Sequence, residues 1–476
     1  MDLELQTIIA FISYFVLIFG IGVYSTKFSS QGISEFFIGG RSMNRFVVAL
    51  SAVVSGRSAW LVIGFAGIAY TMGFEALWYG VGYTVVEFFL FLYYAPKLRT
   101  FTEQNNCITL PDYYAARFKD EAGWLRGLIV LIFLAFMVSY VSAQFVAGGK
   151  AFASSFGFSQ MEGIYLTAGM VLIYTILGGF MAVSLTDVLQ GIFLILGLVV
   201  LPIYGIFQQG GWTEVSAKIA AMEGNYLSAF DISTLGFLGA IGLGLGSPGN
   251  PHILIRYMSI KDPKQFKWTA VVGTIWNILL TGGALMVGIV GRSYFPEANT
   301  LPQGDEEKIY PELGQSLGHP IFFGLLLASV FSAIMSTADS QLLVSASSIV
   351  RDIYQRIIKK GEEIPQRTMV LMSRSAVFVL VVIAVFLSIR AEEVVFWLVL
   401  FAWAGLGAAI GSTSILAIFW KGATRAGVIT GLLVGTVSVF VWKNISMLEE
   451  TIYELIPAFI LALLSTILVS KLTAKE

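Results

Sequence analysis

Four ionisable residues, Arg57, Glu87, Asp187 and Asp339, stand in stretches that are otherwise apolar enough to lie inside a bilayer. An unpaired cation there costs about 2.5–3.5 kcal/mol on insertion scales, so each charge reads first as a functional site with a partner. Arg57 lies in Val53-Val-Ser-Gly-Arg-Ser-Ala-Trp60, where Gly56 between two serines suits a helix that opens its backbone at membrane depth. Such an opening survives only where it lines a cavity or is buried in protein. The plainer reading makes Arg57 one half of a buried structural ion pair.

Asp339 sits in Ser332-Ala-Ile-Met-Ser-Thr-Ala-Asp-Ser-Gln341. Ser332, Ser336, Asp339 and Ser340 recur at i, i+4, i+7 and i+8 and share one helix face. Hydroxyls beside a carboxylate suit a hard cation that takes oxygen ligands; alternatively the hydroxyls bond their own helix carbonyls. Asp187, in Ser184-Leu-Thr-Asp187, reads either as an ion ligand or as a first-turn acid behind a Ser184 or Thr186 cap. Glu87 has no partner identifiable from sequence and reads as a neutral carboxyl or a proton carrier. His252 reads as structural, bonding a backbone carbonyl, because no second ligand stands at metal spacing. No phosphate loop, metal motif or catalytic triad appears, so neither an enzyme nor a cofactor is expected.

The elements that must position these residues are membrane spans. The chain has 476 residues, 57% hydrophobic and 12% charged, with 49 glycines. That composition excludes an ordinary soluble globule and indicates a polytopic all-α membrane protein. A net charge of −1 gives no sign of nucleic-acid binding, and the single Cys107 precludes an intramolecular disulfide. The first residues lack the basic start and small-residue cleavage site of a removable signal, so the opening span is expected to be retained. Thirteen transmembrane helices are expected, at 5–25, 46–72, 76–98, 125–155, 162–179, 185–208, 234–255, 269–294, 321–354, 369–390, 394–420, 427–443 and 452–471. On the loops and span ends, only Lys218, Arg292, Lys308, Arg390 and Lys443 fall on one side; the other lysines and arginines, from Lys27 to Lys475 and apart from the mid-span Arg57 and Lys150, fall on the opposite side. The positive-inside rule then puts the N-terminus outside and the C-terminus in the cytoplasm, in a plasma (bacterial inner) membrane. A second interrupted span, Gly242-Leu-Gly-Leu-Gly-Ser-Pro-Gly-Asn-Pro-His252, cannot sustain a continuous helix through its prolines and glycines. Two interrupted spans, five apart, are the pointer to an inverted repeat with a midplane binding site.

The sequence resembles the sodium/solute symporter family over nearly its whole length, closest to the proline and pantothenate branch. The motifs are Phe37-Ile-Gly-Gly-Arg41, Ile108-Thr-Leu-Pro-Asp-Tyr-Tyr-Ala-Ala-Arg117, Ile176-Leu-Gly-Gly-Phe180 with Thr186-Asp-Val-Leu-Gln-Gly191, Gly249-Asn-Pro-His-Ile-Leu-Ile-Arg256, and Ala333-Ile-Met-Ser-Thr337 with Ser340-Gln-Leu-Leu-Val344. The resemblance implies a LeuT-like 5+5 inverted-repeat core at 46–420, with broken first and sixth core helices. The repeats would be 46–208 and 234–420, preceded by residues 1–45 and followed by two C-terminal spans in 421–476. It further implies a sodium ion held by backbone carbonyls at Val54 and Arg57 and by Ala333, Ser336 and Thr337. In some members a second sodium uses a carboxylate at the place of Asp187 and hydroxyls at the places of Ser336, Asp339 and Ser340.

The departure is Gly56-Arg57, where the proline transporters have Asp-Met. A guanidinium within ~4 Å of a sodium ion repels it by about 4 kcal/mol at an effective dielectric of 20. The expectation is therefore a secondary transporter working by alternating access, with Arg57 replacing the bound sodium and Asp187 and Asp339 as counter-charges. It would run without sodium or be proton-coupled through Asp339, Asp187 or Glu87. The alternatives are a conventional sodium-coupled, proline-like symporter in which Arg57 turns away from the ion, and a sensor that binds solute without moving it. Substrate is expected at the midplane against Ser58, Trp60, Tyr140, Ser247 and Asn250. Tyr140 matches a tyrosine of the proline branch, whereas the aromatic pair of the sixth core helix falls on Leu243 and Ser247. A bidentate bond from Arg57 to a substrate carboxylate favours an amino acid or other carboxylate. The expected partners are a small solute and the lipid bilayer, with no obligatory protein partner.

Overall fold

In a computed structural model, residues 3–29, 33–222, 225–391 and 394–474 are described; Lys475, counted above among the basic residues, lies outside them. The chain is all-helical, and among the described residues the one β contact is an isolated bridge from Met43 to Ile260. Among the described residues, ten helical stretches are long and apolar enough to cross a membrane. Their outward faces carry large apolar side chains such as Ile12, Val16, Phe89, Leu131, Ile278, Val382 and Leu464, as lipid contact requires.

Helix α1 is Leu3–Ser29, α2 is 45–72, α3 is 77–104 and α4 is Leu110–Phe118. Then follow α5 at Trp124–Phe156, α6 at Gln160–Ile195 (its helix runs on to 208) and α7 at Trp212–Met222. The second interrupted span is two helices, α8 at Thr234–Gly242 and α9 at Pro251–Ser259, joined by the tight turns of Leu243–Gly249. Helices α10 (Phe266–Tyr294), α11 (Ile309–Ser316), α12 (Pro320–Ile358), α13 (Gln366–Ile389), α14 (Val395–Phe419), α15 (Arg425–Lys443) and α16 (Leu455–Thr473) complete the chain.

Local chemistry sets the ends. Ser159 and Glu162 form a reciprocal capping box at the start of α6. The Thr109 hydroxyl accepts the Asp112 N–H at α4, and Pro251 begins α9, where a missing N–H costs nothing. One boundary differs from the sequence reading. The expected gap at 180–184 is absent; the chain turns only at Gly179 (φ 68°) and continues as helix. Asp187 is therefore not a first-turn residue, and Thr186 bonds the Ala182 and Val183 carbonyls instead of capping.

The core is organised around α12, which packs on α1, α2, α5, α6 and α13. Helix α2 also packs on α6, α9 and α10, while the Leu243–Gly249 turns lie against α3 and the middle of α14. That last contact is made backbone to backbone. A β-carbon on Gly249 would fall 2.1 Å from the Leu406 carbonyl oxygen, and one on Gly407 2.5 Å from the Gly246 Cα. Helices α15 and α16 pack on each other and on residues 407–411 of α14.

Candidate functional site

The first interruption is centred on Ser58, held at φ 50°, ψ −175° inside α2. A non-glycine residue there is strained, by roughly 1–3 kcal/mol, and persists only if its surroundings hold it. Here they do. The Ala59 N–H freed by the break donates to Gln144 Oε1 of α5 (2.9 Å), and the Trp60 N–H donates to the Ser58 hydroxyl (3.0 Å). Ser58 thus caps the second half of its own helix. The Tyr140 hydroxyl donates to Ser58 Oγ at 3.3 Å, and the Trp60 ring stacks on Phe396 of α14 at 5.6 Å. Three of the expected substrate residues, Ser58, Trp60 and Tyr140, are brought together and buried.

Ser247 and Asn250 border the second interruption. The Asn250 amide donates to the Gly246 carbonyl (2.9 Å), leaving Asn250 Oδ1 buried without a protein partner. Trp403 of α14 donates its indole N–H to the Leu243 carbonyl at 2.9 Å and stacks on Tyr83. Those rings supply the aromatic bulk that Leu243 and Ser247 lack. His252 is fully buried, edge-on to Tyr140 at 6.0 Å, and its ring is turned to the Ser55 backbone of α2.

Across from the first interruption stands the hydroxyl face of α12. The Thr337 hydroxyl donates to the Ser55 carbonyl (2.8 Å), the Ser55 hydroxyl to the Ser336 carbonyl (3.1 Å), and the Ser336 hydroxyl to the Ala333 carbonyl (3.2 Å). Together these groups of α2 and α12 are an all-oxygen, uncharged and fully buried set. Such donors fit a small hard cation.

The Arg57 side chain leaves that set. Its Nε and Nη2 donate to Asn277 Oδ1 of α10 at 2.8 and 2.5 Å, and its guanidinium lies 3.7 Å from the Tyr83 ring centre. The Asn277 amide in turn donates to Glu87 Oε2 of α3. Glu87 therefore has the partner that the sequence could not name. One amide bridges two buried opposite charges, inside the group of helices α2, α3 and α10. The expected pairing of Arg57 with Asp187 and Asp339 is not formed, because the side chain leaves α2 on the face turned to α3 and α10.

A different cation meets Asp187. Arg256, at the end of α9, donates Nη2 to Asp187 Oδ2 (2.9 Å) and Ser340 Oγ (2.6 Å), and Nε to Ser51 Oγ (2.8 Å). Ser51 and Ser55 also donate to Asp187 Oδ2, at 2.5 and 3.1 Å. The Ser340 hydroxyl donates to Asp339 Oδ1 (3.0 Å), while Asp187 Oδ1 and Asp339 Oδ2 are buried without a partner. Sequence reasoning missed Arg256, Asn277, Tyr83 and Gln144. Arg256 stands just past the expected span at 234–255, where a cation is unremarkable, and a lone amide or phenol in an apolar span carries no periodic signal.

Both ends of this centre are closed. At the end where α1 begins, Lys150 of α5 bridges Asp305 (2.8 Å) and Glu307 (2.6 Å), and Glu307 accepts the Val395 and Phe396 N–H groups at the start of α14 (2.9 and 2.8 Å). Burial pushes the Glu307 carboxyl above its usual range, although Lys150 and the two N–H groups pull it down. At the opposite end Arg126 joins Asp112 of α4 to Asp352 of α12. Burial of Asp112 is outweighed there by Arg126 and Arg351, and its carboxyl lies below the usual range.

Three similarities accompany this geometry. The model of the "Sodium:solute symporter family" matches residues 36–435. Sodium/proline symporters of Staphylococcus aureus strains are 37% and 36% identical over 485 residues, covering 100% of this chain and 94% of the relatives. Among solved structures, a Na+-coupled sialic acid symporter in a substrate-bound outward-open state superposes with a TM-score of 0.81 at 19% identity, over 99% of both chains. A nucleobase-cation-symport-1 family transporter in a closed conformation gives 0.53 at 14% identity, over 93% of this chain and 96% of that one. At these identities the two structures speak to fold alone, and the fold is LeuT-like.

Proposed function

The chain belongs to the sodium:solute symporter family, and from that premise we propose that it is a sodium-coupled symporter of a small amino acid or related carboxylate, proline-like in size. It is a multi-pass membrane transporter, not an enzyme. The observation that carries the coupling is the direction of the Arg57 side chain. With its charge spent on Asn277, Tyr83 and Glu87, the guanidinium stays off the oxygens that α2 and α12 share at Ser55, Ala333, Ser336 and Thr337, and the Val54 and Arg57 carbonyls complete the sodium set by resemblance. The repulsion that argued for replacement of sodium by Arg57 is thereby removed, and the sodium-independent reading loses its ground.

Sodium in that set joins the opened part of α2 to α12 and favours the arrangement that accepts solute. Asp187 is paired with Arg256, and the unpartnered oxygens Asp187 Oδ1 and Asp339 Oδ2 beside it are donors that suit a second sodium ion. Solute lies against Ser58, Trp60, Tyr140, Ser247 and Asn250, between the two interrupted helices, where half-helix ends meet the ligand. Residues 46–208 and 234–420 act as the two inverted repeats of a thirteen-span protein. Its N-terminus lies outside a bacterial plasma membrane and its C-terminus inside.

The test is uptake of labelled proline and other amino acids into proteoliposomes under an inward sodium gradient. Uptake should collapse when potassium replaces sodium, and Ser336→Ala or Thr337→Ala should raise the half-saturating sodium concentration about tenfold or more, as expected for a lost bond to a charged group. Equal uptake in the two salts overturns the reading.

A further inference from the structure

Two cavities adjoin on the face that carries most of the lysine and arginine. The larger, of 770 Å³, is bordered by Lys97, Arg117 and Lys421. The smaller, of 340 Å³, shares Pro96 and Thr100 with it and adds Lys264 and Lys267. Five cations thus surround one crevice, and no aspartate or glutamate lines either part. Elsewhere on this face Arg126 is matched by Asp112 and Arg425 by Asp120 (3.1 Å). An unmatched cluster raises the local potential and draws in anions.

The walls are of two kinds. Tyr113 of α4 is only 1% exposed, borders the larger cavity, and has a hydroxyl with no hydrogen-bond partner. Arg117 is held in place by the carbonyls of Ala417 (3.0 Å) and Trp420 (3.3 Å) at the end of α14. Beside these polar groups lie Phe101, Ala417 and Ile418, and the Lys97 ammonium sits 4.3 Å from the centre of the exposed Phe419 ring. The crevice is therefore basic at its head and apolar along its side, at the ends of α3 and α14 where spans leave the bilayer.

We propose that this crevice is a binding site for an anionic phospholipid. A phosphodiester group sits among Lys97, Arg117, Lys421 and the Tyr113 hydroxyl, with an acyl chain along Phe101 and Ile418. The adjoining cavity with Lys264 and Lys267 accepts the second phosphate of a two-phosphate lipid such as cardiolipin. Lysines near a charged membrane surface add attraction individually, so several around one headgroup give selectivity over a zwitterionic lipid. The site is independent of the solute and sodium positions. Because Lys264 lies on the link that follows α9, a bound lipid ties the exit of the second interruption to α3, α4 and α14.

The purified full-length chain is titrated with cardiolipin, phosphatidylglycerol or phosphatidylcholine in detergent, and bound lipid is counted by native mass spectrometry. The two anionic lipids should bind at least about tenfold more tightly than phosphatidylcholine. The triple variant Lys97→Gln, Lys264→Gln, Lys421→Gln should lose most of that preference. All three lysines are exposed, so the fold is retained. A control that removes equal charge from the same face, Lys359→Gln, Lys360→Gln, Arg367→Gln, should keep the preference. Equal retention or equal loss in the two triples overturns the proposal, since the effect would then be charge without a site. Millimolar inorganic phosphate is the last arm: failure to displace cardiolipin supports a lipid occupant, and full displacement makes free phosphate the occupant and overturns it.

Discussion

At the scale of single residues, the triad of Arg57, Asn277 and Glu87 makes a sharp demand. Removing one partner of a buried charge pair costs about 3–5 kcal/mol because the other charge is left uncompensated, whereas replacing both by neutral groups is often close to neutral. Arg57→Met should therefore lower the melting temperature of the purified protein strongly, and Arg57→Met with Glu87→Gln should recover most of the loss. If the double variant melts no higher than the single one, the two charges are not a pair. Arg256 makes a separate demand. Asp187→Asn should raise the sodium concentration needed for half-maximal uptake by about tenfold or more while solute affinity at saturating sodium changes less. Equal weakening of both affinities would place Asp187 outside the sodium step. The sequence showed the charges of Arg57, Glu87, Asp187 and Asp339, because an ionisable residue in an apolar run is conspicuous. It could not show who pairs with whom. Arg57 leaves α2 towards α3 and α10, and a side chain's direction from a broken helix follows no period that spacing can read.

At the scale of elements, two glycine- and serine-rich interruptions were legible as breaks, and both are breaks. What was not legible is how each is held. Gln144 of α5 takes the freed Ala59 N–H, so Gln144→Leu should leave that N–H unpaired at a cost of about 1–3 kcal/mol and reduce uptake without changing the amount of protein in the membrane. The Glu307 latch between α5, the 305–308 turn and the start of α14 gives a pH prediction. Burial raises the Glu307 carboxyl, so the closed arrangement holds its proton more firmly than an opened, solvated one. Acid thus favours closure at this end, and the preference is lost as pH rises through the raised value. Lys150, Asp305 and the Val395 and Phe396 N–H groups are the charged and polar neighbours that compete for it. Uptake should rise along an acidic limb that Glu307→Gln flattens; a limb unchanged in that variant assigns it elsewhere. The expected span ends at 179 and 185 differ for a related reason: Gly179 at positive φ turns the helix without ending it.

At the scale of the whole molecule, composition carries the class of protein, and the uneven placement of lysine and arginine gives an expected sidedness. A green fluorescent reporter fused after α16 should fold and fluoresce, since that end is read as cytoplasmic; an alkaline phosphatase active at the same junction would reverse the sidedness. The closure of both ends is a global property that no local motif announces. It arises from residues far apart in sequence, Lys150 with Glu307 and Arg126 with Asp352, whose pairing only the packed helices create.

The Arg57 triad also constrains how such a chain can arise. A lineage that gains the arginine first carries a stranded cation, and one that gains the glutamate first carries a stranded anion, so neither lone step is easily tolerated. Passage runs through the uncharged amide at 277, which is harmless by itself and able to greet either newcomer. The two charges are therefore expected to be present or absent together among relatives.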